Sequence, residues 1–163
     1  MLRAIALALR RATGNNPVMI SIDKVAFLQN VPLFTGMTPH ELIDVGEIAK
    51  EITYPENTAV IREGDIGDYL FIVVNGEVMV HRGDVRIRKL GSMDFFGEMS
   101  ILDRESRSAS VTTVSNCQML QIDQRDFWEL LVSHNTLAVA MVKVLTQRLR
   151  EMLAALRAQP ATE

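Results

Sequence analysis

Residues 95–111 read FFGEMSILDRESRSASV and interrupt a region of short, strand-like segments. Val, Ile, Tyr and Thr are frequent on both sides of them, whereas the part that starts near Glu98 has the character of a single helical turn. A barrel of strands does not need such an insertion. The insertion therefore points to a role beyond folding.

The polar residues of this segment suit a nucleotide. Gly97 lets the backbone approach a ligand closely, and a helical turn that starts near Glu98 presents free backbone N–H groups to an anion. Arg107 adds a cation whose forked guanidinium grips two oxygens of one phosphate. The carboxylate of Glu98 repels phosphate, so we assign it to a sugar hydroxyl. Together these residues predict a site for a phosphate that lies beside its ribose.

The surrounding residues predict a small β-barrel or jelly roll. Short runs rich in β-branched residues follow one another from Glu51 onward, separated by Gly, Asp and Asn. Asn75-Gly76 predicts a two-residue hairpin turn, with Glu77–His81 running back antiparallel to the strand before it. About eight antiparallel strands are expected. The strands that the pattern delimits are 52–54, 59–61, 69–74, 77–81, 85–90, 108–114 and 119–122.

Helices are predicted on both sides of the barrel. In residues 21–50 the apolar positions recur at helical spacing, and Pro32 and Pro39 divide them into two short helices. Thr38 and Glu41 form the pattern of a capping box at the start of the second helix. The fold class is therefore mainly β, with N-terminal helices and a C-terminal helical pair.

The C-terminal pair begins at Asp123, which opens a short helix, and continues with a long helix capped by Asn135 and running to about Ala158. The inner face of the short helix is Phe127, Leu130 and Leu131. The long helix carries an apolar stripe that needs a partner. Two interpretations remain: the stripe packs on the open end of the barrel, or it forms a lid over a ligand or a dimer seam. Its members are Met141, Leu145, Leu149, Met152 and Leu156.

The remaining segments set the domain boundaries. Residues 1–13 read as one short helix that stops at Gly14–Pro17, and a secretory signal is disfavoured because charges break the apolar run. Residues 1–20 are either a helical extension or the end of a preceding segment, and a basic arm for a membrane or partner is the less favoured alternative. We expect one domain over 21–158, with the barrel at about 51–122 and lid helices at 123–158, followed by a tail at 159–163.

Residues 96–111 resemble the phosphate-binding cassette of cyclic nucleotide-binding domains. They match it without gaps through Gly97-Glu98, the apolar Ile101-Leu102 and Arg107-Ser108-Ala109. The resemblance extends back through Arg62-Glu63-Gly64-Asp65 and forward to the long helix. It covers about residues 25–152.

The resemblance implies definite roles. Arg107 pairs with the oxygens of the cyclic phosphate, Glu98 accepts from the ribose 2′-hydroxyl, and the backbone N–H groups of Ser100 and Ser108 complete the phosphate cradle beside Gly97. Arg148 or the adjacent Leu149 matches the cap above the base. The complete set of expected ligand-binding residues is Val80, Ile87, Arg88, Gly97, Glu98, Met99, Ser100, Arg107, Ser108, Ala109 and Arg148.

One departure from the family pattern affects the choice of base. Many relatives have Pro before the arginine and Ala after it, whereas this chain has Ser106 and Ser108. A hydroxyl at Ser108 also occurs in guanosine-selective members. Adenosine 3′,5′-cyclic phosphate (cAMP) is the preferred prediction, and the guanosine form (cGMP) is the alternative.

Composition and motifs exclude several other classes. The 163 residues carry a formal net charge of −3, which disfavours a protein that coats nucleic acid. His40, His81 and His134 are scattered, and Cys117 is alone, so neither a metal site nor a disulfide is predicted. No nucleophile elbow and no membrane-length apolar run is present. A DNA-reading helix-turn-helix needs roughly 60 further residues, so none is expected.

The sequence therefore predicts a binding module and not an enzyme. We expect a cytoplasmic cyclic-nucleotide sensor, or one at the cytoplasmic face of a membrane, whose C-terminal helices close over the ligand and act on a partner. The partner is either a separate effector or a fused one such as a transporter or channel, and the long helix offers a route to a homodimer. The alternative is a barrel that has lost its ligand and serves as a protein-interaction or dimerisation module.

Overall fold

The strand-like segments form eight strands, and helices precede, interrupt and follow them. The structure is a computed structural model that describes residues 21–158, without the side chains of residues 21, 22, 155, 156 and 158. The predicted helix in 1–13 and the tail at 159–163 lie outside the described residues. The helices are α1 (Ser21–Leu28), a 3-10 turn (Pro32–Phe34), α2 (Pro39–Ile48), α3 (Glu98–Asp103), α4 (Gln124–Ser133) and α5 (Asn135–Ala158). The strands are β1 (Lys50–Tyr54), β2 (Ala59–Ile61), β3 (Tyr69–Asn75), β4 (Val78–Arg82), β5 (Val85–Leu90), β6 (Phe95–Phe96), β7 (Ser110–Thr113) and β8 (Cys117–Asp123).

The strands build two four-stranded antiparallel sheets, which confirms the jelly-roll prediction. One sheet has the order β1-β8-β3-β6, and the other has the order β2-β7-β4-β5. The two-residue strand β6, which precedes the cassette, was not among the delimited strands. It pairs with β3 through Phe71 and Phe96. This pairing fixes the entry to the cassette against the first sheet.

The hairpin predicted at Asn75-Gly76 is wrong. Strand β3 pairs with β6 and β8, whereas β4 pairs with β5 and β7, so the chain passes from one sheet to the other at this turn. Gly76 has a φ of +93°, and a Cβ there would lie 2.5 Å from the carbonyl oxygen of Asn116. The glycine is needed because the connection between β7 and β8 passes directly beside it.

Strand β3 explains why the chain changes sheets. Leu70 and Ile72 face the helices, while Phe71 and Val73 face the interior of the barrel. Since side chains alternate across a strand, β3 is buried on both faces and separates two apolar layers. One layer lies between the first sheet and the helices, and the other lies between the two sheets. A β3–β4 hairpin in one sheet would leave the second layer without its opposite wall.

Helix ends follow the sequence signals closely. Thr38 and Glu41 form the predicted capping box at the start of α2. Asp123 caps α4, because its side chain accepts a hydrogen bond from the N–H of Arg125 at 2.9 Å. Asn135 is the first residue of α5 and not the cap that precedes it. Phe127 and Leu130 are buried as the inner face of α4.

The apolar stripe predicted on the long helix does not form a single surface. Met141 is buried in the core, and Leu145 packs against that core. Leu149 is 54% exposed, and Met152 borders a cavity in the barrel. The side chain of Leu156 lies outside the described residues. The stripe therefore divides between the core, the cavity and solvent, because a helix that crosses the barrel mouth meets a different neighbour at each turn.

Two further observations complete the fold. Cys117 is buried between the sheets, and burial raises the pKa of its thiol. No helix within residues 21–158 combines the length and apolar character that crossing a bilayer requires.

Candidate functional site

The predicted ligand-binding residues surround one cavity of about 450 Å³. Its walls come from the barrel, from the cassette (residues 96–111) and from helix α5. All eleven residues of the predicted set line it, although they are spread over 69 positions of sequence from Val80 to Arg148. This volume is within the range of small-molecule pockets. The structure therefore brings together what the sequence could only group by resemblance.

Arg107 lies at the floor of the cavity with its guanidinium anchored by the protein. The side chain is only 6% exposed. Nη1 donates to the carbonyl oxygen of Gly97 at 2.8 Å and to Ser100 Oγ at 2.7 Å, and Nη2 donates to the carbonyl oxygen of Tyr69 at 2.7 Å. Two of its five N–H groups take no acceptor among the described residues, so they are available to an anion.

Burial and two nearby carboxylates act in opposite directions on the pKa of Arg107. Burial lowers the pKa of its guanidinium, and the nearby carboxylates of Asp68 and Glu98 raise it. Arginine remains protonated in proteins under ordinary conditions. The cavity thus holds a permanent cation in apolar surroundings, where its interaction with an anion is stronger than in water.

The loop between β2 and β3 fixes the position of Arg107. The N–H of Gly64 donates to the carbonyl oxygen of Arg107 at 2.9 Å. The N–H of Arg107 in turn donates to the carbonyl oxygen of Asp65 at 2.8 Å. A Cβ on Gly67 would lie 2.1 Å from Arg107 Nε. Gly67 is therefore a positioning residue for the guanidinium.

Gly97 has a structural purpose in addition to the one expected from the sequence. The sequence suggested that this glycine lets a ligand approach, and the structure shows that it also makes room for the protein itself. Its φ is +87°, and a Cβ there would lie 2.8 Å from both Arg107 Nη1 and the carbonyl oxygen of Tyr69. Gly97 precedes α3 without a side-chain cap, while Ser100 is buried on α3 and Ser108 is exposed at the cassette's end.

Glu98 is buried and bound to helix α5. Its Oε1 accepts a hydrogen bond from Arg148 Nη1. The second arm of Arg148, Nη2, donates to the carbonyl oxygen of Phe95 at 2.7 Å, and its Cζ lies 4.4 Å from the centroid of the Phe95 ring. Arg148, which together with Leu149 was a candidate for the cap above the base, joins α5 to the acidic residue of the cassette.

Two further residues of α5 line the cavity although the predicted ligand-binding set does not contain them. They are Glu151 and Met152, three and four residues after Arg148 and thus on neighbouring positions of the helix surface. Glu151 Oε2 lies 3.3 Å from Arg88 Nη1 of strand β5. Leu149, the other cap expected from the resemblance, does not line the cavity. Helical spacing from Arg148 is the signal that could have found both residues.

The rest of the wall is largely apolar. Val80 and Ile87 contribute from the second sheet, as expected. The lining residues that sequence reasoning missed are Ile61, Leu90, Phe96 and Val111. They are buried apolar residues of four different strands, β2, β5, β6 and β7, so a sequence reading assigns them to the core. The cavity is thus an extension of the space between the sheets, with its charged groups at the cassette and at α5.

Comparison with known proteins identifies the family. Residues 51–134, just over half of the chain, match the family model of the cyclic nucleotide-binding domain. The chain belongs to the cyclic nucleotide-binding domain family. Relatives of this domain include the cyclic AMP receptor protein of Thermus thermophilus, 34% identical over 134 residues, and the cGMP-dependent protein kinase of Plasmodium berghei, 32% identical over 122 residues. A cyclic nucleotide-gated potassium channel of Rhizobium etli is 30% identical over 118 residues.

These alignments place the cyclic nucleotide-binding domain within larger relatives. The alignment with the cyclic AMP receptor protein covers 76% of this chain and 60% of that protein. The alignment with the kinase covers 72% of this chain and 14% of the kinase, and the alignment with the channel covers 72% of this chain and 33% of the channel. The solved structure of the catabolite activator protein of Thermus thermophilus superposes on this structure with a TM-score of 0.71 and 30% sequence identity. The superposition covers 77% of this chain and 62% of the activator chain. The chain is accordingly a regulatory cyclic nucleotide-binding domain.

The family is regulatory and not catalytic. In the part of the chain that the structure describes, no group of three or more His, Cys, Asp and Glu side chains is placed to hold a metal ion.

Proposed function

We propose that this domain binds cAMP in preference to cGMP and transmits its occupancy through helices α4 and α5 to an effector in the cytoplasm or at the cytoplasmic face of a membrane. The observation that carries the proposal is a buried arginine and a buried glutamate in one apolar cavity of about 450 Å³. Buried charges are costly unless they are paired or serve a ligand. The guanidinium of Arg107 donates to neutral oxygens within the described residues, so a cyclic phosphate supplies an oppositely charged partner for it. Glu98 already pairs with Arg148 and has acceptor positions left for a ligand hydroxyl.

The phosphate pairs with Arg107. Two of its N–H groups remain for the phosphate oxygens, and the backbone N–H groups of Ser100 and Ser108 join them. Charge-assisted hydrogen bonds of this kind are roughly twice as strong as neutral ones. An anchored guanidinium also loses little conformational freedom when the ligand binds, which favours affinity.

The ribose pairs with Glu98. A carboxylate offers about four acceptor positions, so Glu98 can bind Arg148 and still accept from a 2′-hydroxyl. The same carboxylate then contacts both the ligand and α5. Occupancy of the sugar position is in this way coupled to the position of the helix.

The base lies between the second sheet and α5. Val80, Ile87 and Met152 give this part of the cavity an apolar character, and its polar groups Arg88 and Glu151 pair with each other. Guanine carries more hydrogen-bonding groups that such walls leave unpaired, which costs affinity. This argument supports adenine.

Helix α5 acts as the lid. Arg148 and Glu151 each form an ion pair with the opposite side of the cavity. A ligand changes the position of a lid only by the difference in its affinity for the open and closed states. A contact of the ligand with Met152 of α5 provides such a difference, because it exists only when α5 lies over the cavity.

A second copy of the chain is the partner that we propose for the outer face of α5. Val139, Val142, Leu149 and Leu153 are exposed there. Their spacing of three, seven and four residues fits a heptad repeat, which is the pattern of two helices packed along a common seam.

Calorimetric titration tests the binding. The full chain is titrated with cAMP, cGMP and linear adenosine monophosphate as control. We expect binding of the cyclic forms, tighter for cAMP, and weak or no binding of the linear form. Failure of both cyclic forms would favour the alternative, a barrel that serves only as an interaction module.

Variants of Arg107 give the residue-level control. Loss of one partner of a buried charge pair costs about 2 kcal/mol or more, so R107A should weaken binding at least about 30-fold. R107K keeps the charge but loses the fork and should bind with intermediate affinity. The exposed Arg86 of strand β5, which does not line the cavity, supplies the matched control R86A with unchanged affinity. Circular dichroism checks that each variant is folded.

A further inference from the structure

One backbone carbonyl at the end of the cassette helix receives two hydrogen bonds from helix α4. The oxygen of Ile101 accepts from Gln124 Nε2 at 3.0 Å and from Trp128 Nε1 at 2.8 Å. The last carbonyls of any helix have no donor within the helix itself. In α3 the carbonyl of Ser100 is satisfied by the N–H of Arg104 at 3.0 Å, whereas that of Ile101 is satisfied by side chains of another helix.

Both donors come from one face of α4. Gln124 and Trp128 are four residues apart, so they are neighbours on the helix surface. The backbone N–H of Gln124 also donates to the carbonyl oxygen of Asp68 at 2.8 Å, which fixes the start of α4 to the loop beneath Arg107. The two side chains therefore project from a helix end that is itself held in place.

Ile101, the residue that accepts both hydrogen bonds, directly follows Ser100, which lines the cavity. Ile101 is fully buried, and the preceding residue, Ser100, accepts the hydrogen bond from Arg107. Neither Gln124 nor Trp128 lines the cavity. A displacement of Arg107 or Ser100 thus reaches α4 through a single turn of helix and two hydrogen bonds.

We infer that Trp128 and Gln124 are positioning residues that fasten the cassette helix to α4 through the carbonyl of Ile101 and convey the state of the cavity to that helix. The inference rests on the proposed function for its ligand. The link itself exists without a ligand and makes its own prediction about the mobility of α3. The transmission of the ligand-bound state and the fastening of α3 are therefore tested by separate measurements.

The single tryptophan of the chain makes the link observable. Uniformly ¹⁵N-labelled full-length chain shows one indole N–H signal in a correlation spectrum, and that signal belongs to Trp128. We expect it to shift during titration with cAMP and to follow the calorimetric isotherm, although the indole lies outside the cavity. In R107K the shift should require correspondingly more ligand. An indole signal that stays unchanged while calorimetry reports saturation would overturn the inference and leave the proposed function intact.

The variant W128F removes the N–H and keeps an aromatic ring. We expect faster hydrogen exchange of the Arg104 amide, which closes the end of α3, and about two- to tenfold weaker cAMP binding, since one hydrogen bond is lost. Q124L should act in the same direction. V85A, at an exposed position of strand β5 that lies outside the cavity and outside α4, is the matched control and should behave like the wild type.

Hydrogen exchange of the Arg104 amide is measured without nucleotide. It therefore tests whether Trp128 holds α3 in place even if calorimetry detects no binding. Absence of binding would contradict the proposed function and the transmission of ligand state. Equal Arg104 exchange in W128F, V85A and wild type would contradict the fastening of α3 itself.

Discussion

At residue 67 the side chain is a single hydrogen atom, and the guanidinium of Arg107 occupies the space where a Cβ would stand. A Cβ there would lie 2.1 Å from Arg107 Nε and 2.6 Å from Ser100 Oγ. The arginine cannot yield without breaking its bonds to Gly97, Ser100 and Tyr69. A residue 40 positions before Arg107 in sequence thus determines where its guanidinium lies.

We predict that G67A weakens cAMP binding at least about tenfold, because displacement of a bidentate group costs at least one charge-assisted hydrogen bond. Calorimetry of the variant gives the affinity. G91A is the matched control, since a Cβ on Gly91 meets nothing within 4 Å. Wild-type affinity in G67A would show that Arg107 can bind from another position.

Glu98 carries the second prediction at this scale. If its carboxylate accepts from the ribose, 2′-deoxy-cAMP should bind the wild-type domain about ten- to a hundredfold more weakly than cAMP, the range for a hydrogen bond to a charged group. In E98A the two ligands should bind equally, because the acceptor is absent. An equal penalty for the deoxy ligand in both proteins would exclude Glu98 as the partner of the hydroxyl.

At the scale of elements, helix α2 contains a carboxylate that links folding to pH. The N–H and the hydroxyl of Thr38 donate to Glu41 Oε2 at 2.6 and 2.8 Å. These bonds, with a smaller contribution from His134, hold the pKa of Glu41 below its ordinary 4.5, while burial opposes them. His134, at the junction of α4 and α5, lies 3.4 Å from Glu41 and from Asp44.

The sign of the pH effect follows from the lowered pKa. A group whose pKa is lower in the folded state stabilises that state above its unfolded pKa, and the contribution is lost as pH falls through the folded value. We predict that E41Q has a lower free energy of unfolding than the wild type at neutral pH, and that this difference shrinks as the pH falls below 4.5 and disappears below the lowered pKa of Glu41. Urea denaturation across this range measures both. A constant difference down to the lowest pH would contradict the prediction.

Helix α5 shows how an element acquires more than one role. Met141 is buried in the core, Arg148 and Met152 face the cavity, and Leu149 faces solvent. Each turn therefore meets a different layer of the molecule. The transmission that we propose requires an element with contacts of this kind, on the cavity at one side and on solvent at the other.

At the scale of the whole molecule, the outer face of α5 predicts association. Burial of an exposed apolar seam stabilises a dimer by roughly 25 cal/mol for each square ångström removed from water. We predict that the full chain sediments as a dimer and that L149E shifts it to a monomer. A154E, exposed but away from the seam, is the control and should remain dimeric. A wild-type chain that sediments as a monomer with and without cAMP would contradict the proposal.

Much of the fold was determined by the sequence alone, because the signals involved are local. The Thr38 capping box, the Asp123 cap and strand β5 at residues 85–90 lie where the pattern predicts them. Capping and alternation depend on residues a few positions apart. The cassette could also be recognised from sequence, because Gly97, Glu98 and Arg107 lie within a stretch of eleven residues.

Tertiary structure alone decided which distant elements meet. Asn75-Gly76 has the composition of a hairpin, yet β4 pairs with β7 because β3 must be buried on both faces. Arg148 reaches Glu98, and Gly67 makes room for Arg107, across 50 and 40 residues of sequence respectively. Such contacts depend on how two apolar layers and a crossing helix pack. A local pattern fixes where a side chain points on its own element, and only packing determines what it meets there.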